Sequence, residues 1–212
     1  MSLLIDTFAK TSPLIAILRG LAPEQAPGVG ERLRAAGLGV LEVPLNRPDA
    51  RDSLRALVRQ VGERALVGAG TVMSPDQVRD VVVAGGRFVV MPHGDPRVID
   101  ACHKAGLPCI PGVATPTEAF AALAAGAAAL KLFPAQSLPP EVVAAWKAVL
   151  PAETWLFMVG GITPASMAPY RRAGAQGFGI GSPIFRPGMA LEEVERAARE
   201  FVVAAAALGP VA

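Results

Sequence analysis

At 212 residues, 52% of them hydrophobic with a mean hydropathy of +0.42, the chain is long enough to bury a sizeable core and apolar enough to imply a subunit interface as well. A formal net charge of +2 with dispersed arginines excludes a nucleic-acid surface, and charge-free stretches such as 119–130 are shorter than the roughly 20 residues that cross a bilayer. The first ten residues carry Asp6 and no long apolar run, which argues against a signal or transit peptide and for a cytoplasmic protein, while Cys102 and Cys109 match neither a disulfide framework nor paired-cysteine metal spacing.

In chain order, Ser2 to Lys10 reads as a helix, and short apolar or β-branched runs follow at fairly even spacing. They are Leu14 to Arg19, Val40 to Leu45, Leu66 to Gly70, Phe88 to Met91, Pro108 to Pro111, Ala128 to Phe133, Trp155 to Val159 and Gly177 to Gly181. Each run precedes a longer Ala/Leu/Arg-rich stretch with helical periodicity. Helix starts are marked by Pro23-Glu24, Pro48-Asp49, Ser74-Pro75-Asp76, Asp95-Pro96, Thr115-Pro116, Pro139-Pro140 and Thr163-Pro164, and helix ends by glycines such as Gly37, Gly62 and Gly174. Eight strands, each followed by a helix, predict an α/β fold: a minimal (β/α)8 TIM barrel spanning 1–212 as a single domain, with the N-terminal extra helix closing its floor. A doubly wound open sheet is the alternative. No linker, charge block or low-complexity segment divides the chain.

Reacting groups in such a barrel project from the carboxyl ends of the strands. Lys131 lies in the buried run Ala128-Ala129-Leu130-Lys131-Leu132-Phe133-Pro134, and the chain holds only four lysines against sixteen arginines, so a lysine stands where arginine would not serve. A desolvated amine adds to ketones and forms Schiff bases, which a guanidinium does not. Glu42, in Leu41-Glu42-Val43-Pro44-Leu45-Asn46, is on the second run, diametrically opposed to the sixth. Both strands are even, so the two side chains share an interior layer, with Lys131 as nucleophile and Glu42 as the proton carrier. A buried ion pair kept for packing is the bland alternative, and it is disfavoured because desolvation makes such pairs poor stabilisers.

Gly160-Gly161 after the seventh run and Gly181-Ser182 after the eighth fit a barrel phosphate site, with backbone N–H groups and a hydroxyl as donors. Arg19, ending the first run, suits a carboxylate or phosphate, and Thr71 follows Gly68-Ala69-Gly70. Phe133 reads equally as a pocket wall or as core. Gly177-Phe178-Gly179-Ile180-Gly181 mimics part of a dinucleotide fingerprint but lies inside a strand at the wrong end of the chain. His93 ends the fourth run without a second ligand at metal spacing, and His103 reads as a solvated helix face. Neither a metal nor a cofactor is expected.

At these residues the chain resembles the bacterial 2-keto-3-deoxy-6-phosphogluconate and 2-keto-3-deoxy-6-phosphogalactonate aldolases, which are class I, metal-independent (β/α)8 enzymes. The resemblance runs from about Pro13 to Phe201 and is carried by Ile15-Ala16-Ile17-Leu18-Arg19-Gly20, Leu41-Glu42-Val43, Val67-Gly68-Ala69-Gly70-Thr71-Val72, Ala129-Leu130-Lys131-Leu132-Phe133-Pro134, Val159-Gly160-Gly161-Ile162 and Gly179-Ile180-Gly181-Ser182. It implies Schiff-base formation on Lys131, proton shuttling by Glu42, substrate contact by Arg19 and Thr71, and phosphate held by Gly160, Gly161 and Ser182. It also implies a homotrimer acting on a phosphorylated sugar acid and releasing pyruvate and D-glyceraldehyde 3-phosphate. Glu42-Val43-Pro44-Leu45-Asn46 and Val159-Gly160-Gly161 resemble the galactonate type, where gluconate-type members typically have Glu-x-Thr-Leu-Arg and Thr-Gly-Gly. Val159 is therefore a candidate stereochemical selector near C4, and Asn46 in place of arginine removes a carboxylate clamp. Rival readings are a phosphosugar isomerase or epimerase on the same barrel and a phosphosugar-binding barrel without turnover.

Overall fold

A computed structural model describes residues 3–209. The chain runs α1 (Leu3–Lys10), β1 (Leu14–Ile17), α2 (Ala26–Ala35), β2 (Val40–Pro44), α3 (Ala50–Val61), β3 (Leu66–Gly70), α4 (Pro75–Val83), β4 (Val89–Val90), α5 (Pro96–Lys104), β5 (Cys109–Ile110), β6 (Gly112–Val113), α6 (Pro116–Ala124), β7 (Leu130–Leu132), a 3-10 turn (Ala135–Ser137), α7 (Pro140–Lys147), β8 (Leu156–Val159), α8 (Pro164–Arg172), β9 (Gly177–Ile180) and α9 (Leu191–Ala206). Strand neighbours follow the order β5-β4-β3-β2-β1-β9-β8-β7-β6, all parallel. The ring closes through the chain itself, because β5 and β6 are one barrel strand divided at Pro111.

That division, at the fifth run, is where the structure departs from the expected eightfold pattern. Pro111 has no N–H for the ladder, yet its carbonyl accepts from Lys131 N–H (2.9 Å), with Cys109 and Val113 carbonyls accepting from Ala128 (3.0 Å) and Phe133 (3.2 Å) on either side. The predicted run Pro108 to Pro111 thus extends to Val113 in two pieces, and the sheet is a nearly closed TIM-type barrel rather than the open doubly wound alternative. Other expected strands are shorter than read. β1 stops at Ile17, leaving Arg19 on the following loop, and β7 covers only Leu130–Leu132.

Side-chain alternation along the strands separates two apolar regions. Leu14, Ala16, Leu41, Val43, Leu130 and Leu132 pack outward against the helices, whereas Ile15, Val40, Leu66, Val90, Ala129 and Phe157 fill the barrel axis. Leu4 and Phe8 of α1 belong to the inner region, with the Phe8 ring tilted against Phe157 at 4.9 Å and stacked on Trp155 at 6.0 Å. The N-terminal helix therefore plugs the floor as expected, while Ser2 lies outside the described residues. Most proline-marked helix starts hold: Ser74, Asp95, Thr115 and Thr163 each accept from a first-turn N–H, and α6 and α8 carry reciprocal capping pairs. α2 and α3 begin later than Pro23 and Pro48 suggest, at Ala26 and Ala50, without side-chain caps. No helix among the described residues is long and apolar enough to cross a membrane.

Candidate active site

Glu42 lies between Leu41 and Val43, both of which face the helices, so its own side chain must point into the barrel. The neighbouring strand makes room for it with glycine. Glu42 is paired with Gly68, and a Cβ built on Gly70 would lie 1.0 Å from Glu42 Oε1, so the carboxyl group fills the space that a side chain at Gly70 would need. Only 3% of Glu42 is exposed, and Oε2 has no hydrogen-bond partner among the described residues. Burial pushes its pKa up from 4.5 to about 7, against the opposing pull of the Lys131 and Arg19 charges. Gly70→Ala should displace this carboxyl, costing about 1–3 kcal/mol of stability from overpacking and removing nearly all turnover; thermal melting and steady-state rates check both.

Lys131 reaches the same interior by the same alternation, since Leu130 and Leu132 face outward. It is 9% exposed, and its Nζ lies 4.5 Å from the centroid of the Phe133 ring, which roofs it. Burial lowers the lysine pKa, Glu42 opposes that shift, and Arg19 adds to it. The ring face favours the ammonium by about 0.5–2 kcal/mol, whereas desolvation of an ammonium costs several kcal/mol, so burial prevails. Glu42 and Lys131 influence each other electrostatically, but no direct ion pair joins them among the described residues. Burial drives each toward its uncharged form, which leaves a lysine of lowered pKa and a carboxyl group that titrates near neutrality in the same barrel interior.

Two clefts adjoin this pair through Phe133, whose ring contacts Lys131, and Arg19, whose charge acts on both groups. The inner one, of about 260 Å³, is walled by Ile17, Arg19, Phe133, Val159, Gly160, Gly161, Thr163, Gly179, Gly181 and Ser182 among others. An outer one, of about 510 Å³, shares Arg19, Gly181 and Ser182 and adds Asn46, Arg47 and Arg186. Arg19 is exposed and makes no hydrogen bond or ion pair with the described residues, so its guanidinium is available to an anion. Gly160 and Gly161 adopt φ values of +109° and +65°, a conformation natural to glycine, and lead into the N-terminus of α8. Backbone donors and the helix dipole converge there on the inner cleft.

Of the residues singled out in the sequence, Arg19, Phe133, Val159, Gly160, Gly161, Gly181 and Ser182 line the inner cleft together. Glu42 and Lys131 occupy the barrel interior. Thr71 lines neither cleft; it follows Gly70 with φ +54°, a left-handed conformation that a β-branched residue adopts only at a cost. His93 is exposed, and no cluster of three or more His, Cys, Asp or Glu suited to a metal occurs among the described residues. The sequence reading missed two residues. Arg47 joins Arg19 in the outer cleft, so Asn46 does not leave Arg19 as the sole guanidinium there, although Arg47 also bonds Asp49 (3.2 Å). Gln136 braces the Gly160–Gly161 loop from the 3-10 turn. Nothing in the local pattern marks an exposed glutamine in a polar turn.

The family model "KDPG and KHG aldolase" matches residues 5–203 of the chain. The chain belongs to that family. An Escherichia coli (strain K12) member named 2-dehydro-3-deoxy-6-phosphogalactonate aldolase is 43% identical over 192 residues, covering 91% of this chain and 94% of its own. A Rhizobium meliloti (strain 1021) protein, named a probable aldolase for the same substrate, is 44% identical over 186 residues, covering 88% of each chain. Among solved structures, one described as native KDPGal superposes with a TM-score of 0.90 at 42% identity, covering 92% of this chain and 95% of that one. The Legionella pneumophila KDPG aldolase, captured with pyruvate as a covalent carbinolamine, gives a TM-score of 0.79 at 30% identity over 98% of both chains. The KDPG and KHG aldolase family thus includes a barrel of this shape on which pyruvate has been held covalently.

Proposed function

We propose that the protein is a class I aldolase that cleaves a 2-dehydro-3-deoxy-6-phospho sugar acid, preferentially the galactonate epimer, to pyruvate and D-glyceraldehyde 3-phosphate. The observation that carries this reading is the buried, desolvated Lys131 amine facing buried Glu42 beneath a cleft walled by two glycine loops and a free arginine. The neutral amine adds to the C2 ketone, and the carbinolamine loses water to give a protonated Schiff base. Glu42 accepts the C4 hydroxyl proton; the C3–C4 bonding pair passes into the iminium, releasing the aldehyde and leaving an enamine. Glu42 then returns a proton to C3, and hydrolysis frees pyruvate and the lysine. Phosphate rests on Gly160, Gly161 and Ser182, and the substrate carboxylate on Arg19; Thr71 contributes a further hydroxyl, and Phe133 keeps water from the Schiff base. Incubation with pyruvate and borohydride should add one reduced pyruvyl mass to Lys131. A label elsewhere, or none, would refute the mechanism.

The galactonate preference rests on Val159, which is buried in the inner-cleft wall without a hydroxyl, and on the galactonate-acting relatives named above. A missing donor rejects the other epimer only modestly, by about tenfold to a hundredfold. Pyruvate release from the two epimeric phosphates should differ in that range, and Val159→Thr should narrow the ratio. The fold serves as one catalytic domain, and a homotrimer would cover exposed Val83, Phe120, Val149 and Val203; light scattering should then give three chain masses. Free, buried Cys102 and Cys109 suit a reducing cytoplasm.

A further inference from the structure

The loop that follows the lysine strand touches the loop assigned to phosphate. After Phe133 the chain enters the 3-10 turn Ala135–Ser137, whose first carbonyl accepts a buried hydrogen bond from Tyr170 Oη (3.0 Å) on α8. The turn is thereby fastened to the helix that begins just beyond Gly160-Gly161. From it, the Gln136 carboxamide reaches both glycines. With the carboxamide assigned so that its nitrogen faces the Gly160 carbonyl and its oxygen the Gly161 N–H, the orientation that satisfies both, it donates to the first (3.3 Å) and accepts from the second (3.3 Å). The fit is close, since a Cβ on Gly160 or Gly161 would come within 2.6 Å or 2.8 Å of that amide end.

We propose that Gln136 is a positioning residue for the phosphate loop, holding Gly160 and Gly161 in their left-handed conformations from the turn that follows the strand carrying Lys131. Glycine has more backbone freedom to lose than any other residue, so a loop of two glycines binds an anion tightly only if something else has already ordered it. A carboxamide suits the task because it donates and accepts at once. A glutamate in its place would accept from Gly161 but could not donate to Gly160, and would set a negative charge against an arriving phosphate. Gln136 touches no reacting atom, so its effect belongs to binding of the phosphorylated end and not to chemistry at C2.

The inference rests on the aldolase reading, and its test keeps the two separable. Gln136→Ala should raise KM for the phosphorylated sugar acid about tenfold, and Gln136→Glu should raise it further, with kcat changed by no more than about twofold for either. Deuterium exchange into the pyruvate methyl group, which needs Lys131 and Glu42 but no phosphate, should be unchanged in both variants. Stabilisation by inorganic phosphate, read as a shift in Tm, should be smaller in both variants than in the parent protein. This last readout decides the matter even if the parent protein turns over no sugar acid. An unchanged KM and phosphate response, a fall in KM showing that Gln136 competes for Gly161 N–H, or a loss of pyruvate exchange alongside the KM change would each overturn the proposal.

Discussion

Lys131→Met should lower kcat/KM by at least about 10⁴-fold and abolish borohydride trapping of pyruvate, while leaving Tm equal to or above that of the parent protein. The two halves of this result have one cause. Lys131 sits in the barrel interior between outward-facing leucines, 9% exposed, where its charge is opposed by desolvation. An unbranched apolar side chain of similar length relieves that penalty, and breaking no direct ion pair leaves no newly stranded partner. Stability is retained and the nucleophile is lost. Lys131→Arg separates the roles differently. It places a permanent cation opposite Glu42 by forcing a guanidinium, which cannot deprotonate, into the same site, so Tm should fall as activity vanishes. Activity retained in Lys131→Arg would favour a mechanism in which the cation merely polarises an enediolate.

Glu42→Gln should reduce kcat by about 10²–10⁴-fold, the usual loss when a positioned acid/base is removed. The pH dependence carries the sharper signal. With its pKa raised from 4.5 to about 7, Glu42 is protonated in the folded protein across a range where the unfolded chain has already lost the proton. Its contribution to stability is therefore fully present below pH 4.5 and is lost as pH rises through about 7. Relative to Glu42→Gln, the parent protein should lose roughly 3 kcal/mol between those limits. Urea unfolding of both proteins at pH 4, 6 and 8 measures the difference, and a stability gap that does not change with pH would contradict the burial argument. Over the same interval kcat/KM of the parent should rise, because the carboxylate proposed to take the C4 hydroxyl proton becomes populated. Catalysis and stability thus respond oppositely to one ionisation, as expected of a carboxyl group buried for function.

Much of the site was legible because the residues that build it are expensive to bury. A lysine in a run of Ala and Leu, and a glutamate between Leu41 and Val43, both violate the apolar pattern of a buried strand, and both prove to point into the barrel. The paired glycines before α8 and the Gly181-Ser182 step were visible for a related reason, since neither belongs inside a regular element. Residues that contribute by reach were not legible. Arg47 arrives at the outer cleft because its loop folds over Gly20, with a Gly20 Cβ position 3.7 Å from its Nη1, and Gln136 arrives at the glycine loop because Tyr170 anchors its turn. Neither arrangement has a sequence period.

The sequence by itself determined the βα alternation, the chemical nature of the central pair and the strands that carry them. Period-two burial dictates which way each strand side chain faces, whatever the rest of the chain does. Only the tertiary structure decided that the fifth strand is divided at Pro111 and that the ring closes through it. It likewise decided that Glu42 occupies the space left by Gly70, and that the turn after the lysine strand meets the Gly160–Gly161 loop through Gln136. These are contacts between residues far apart in the chain, and their geometry depends on how nine short strands tilt and stagger to close a barrel, which no local pattern of residues specifies.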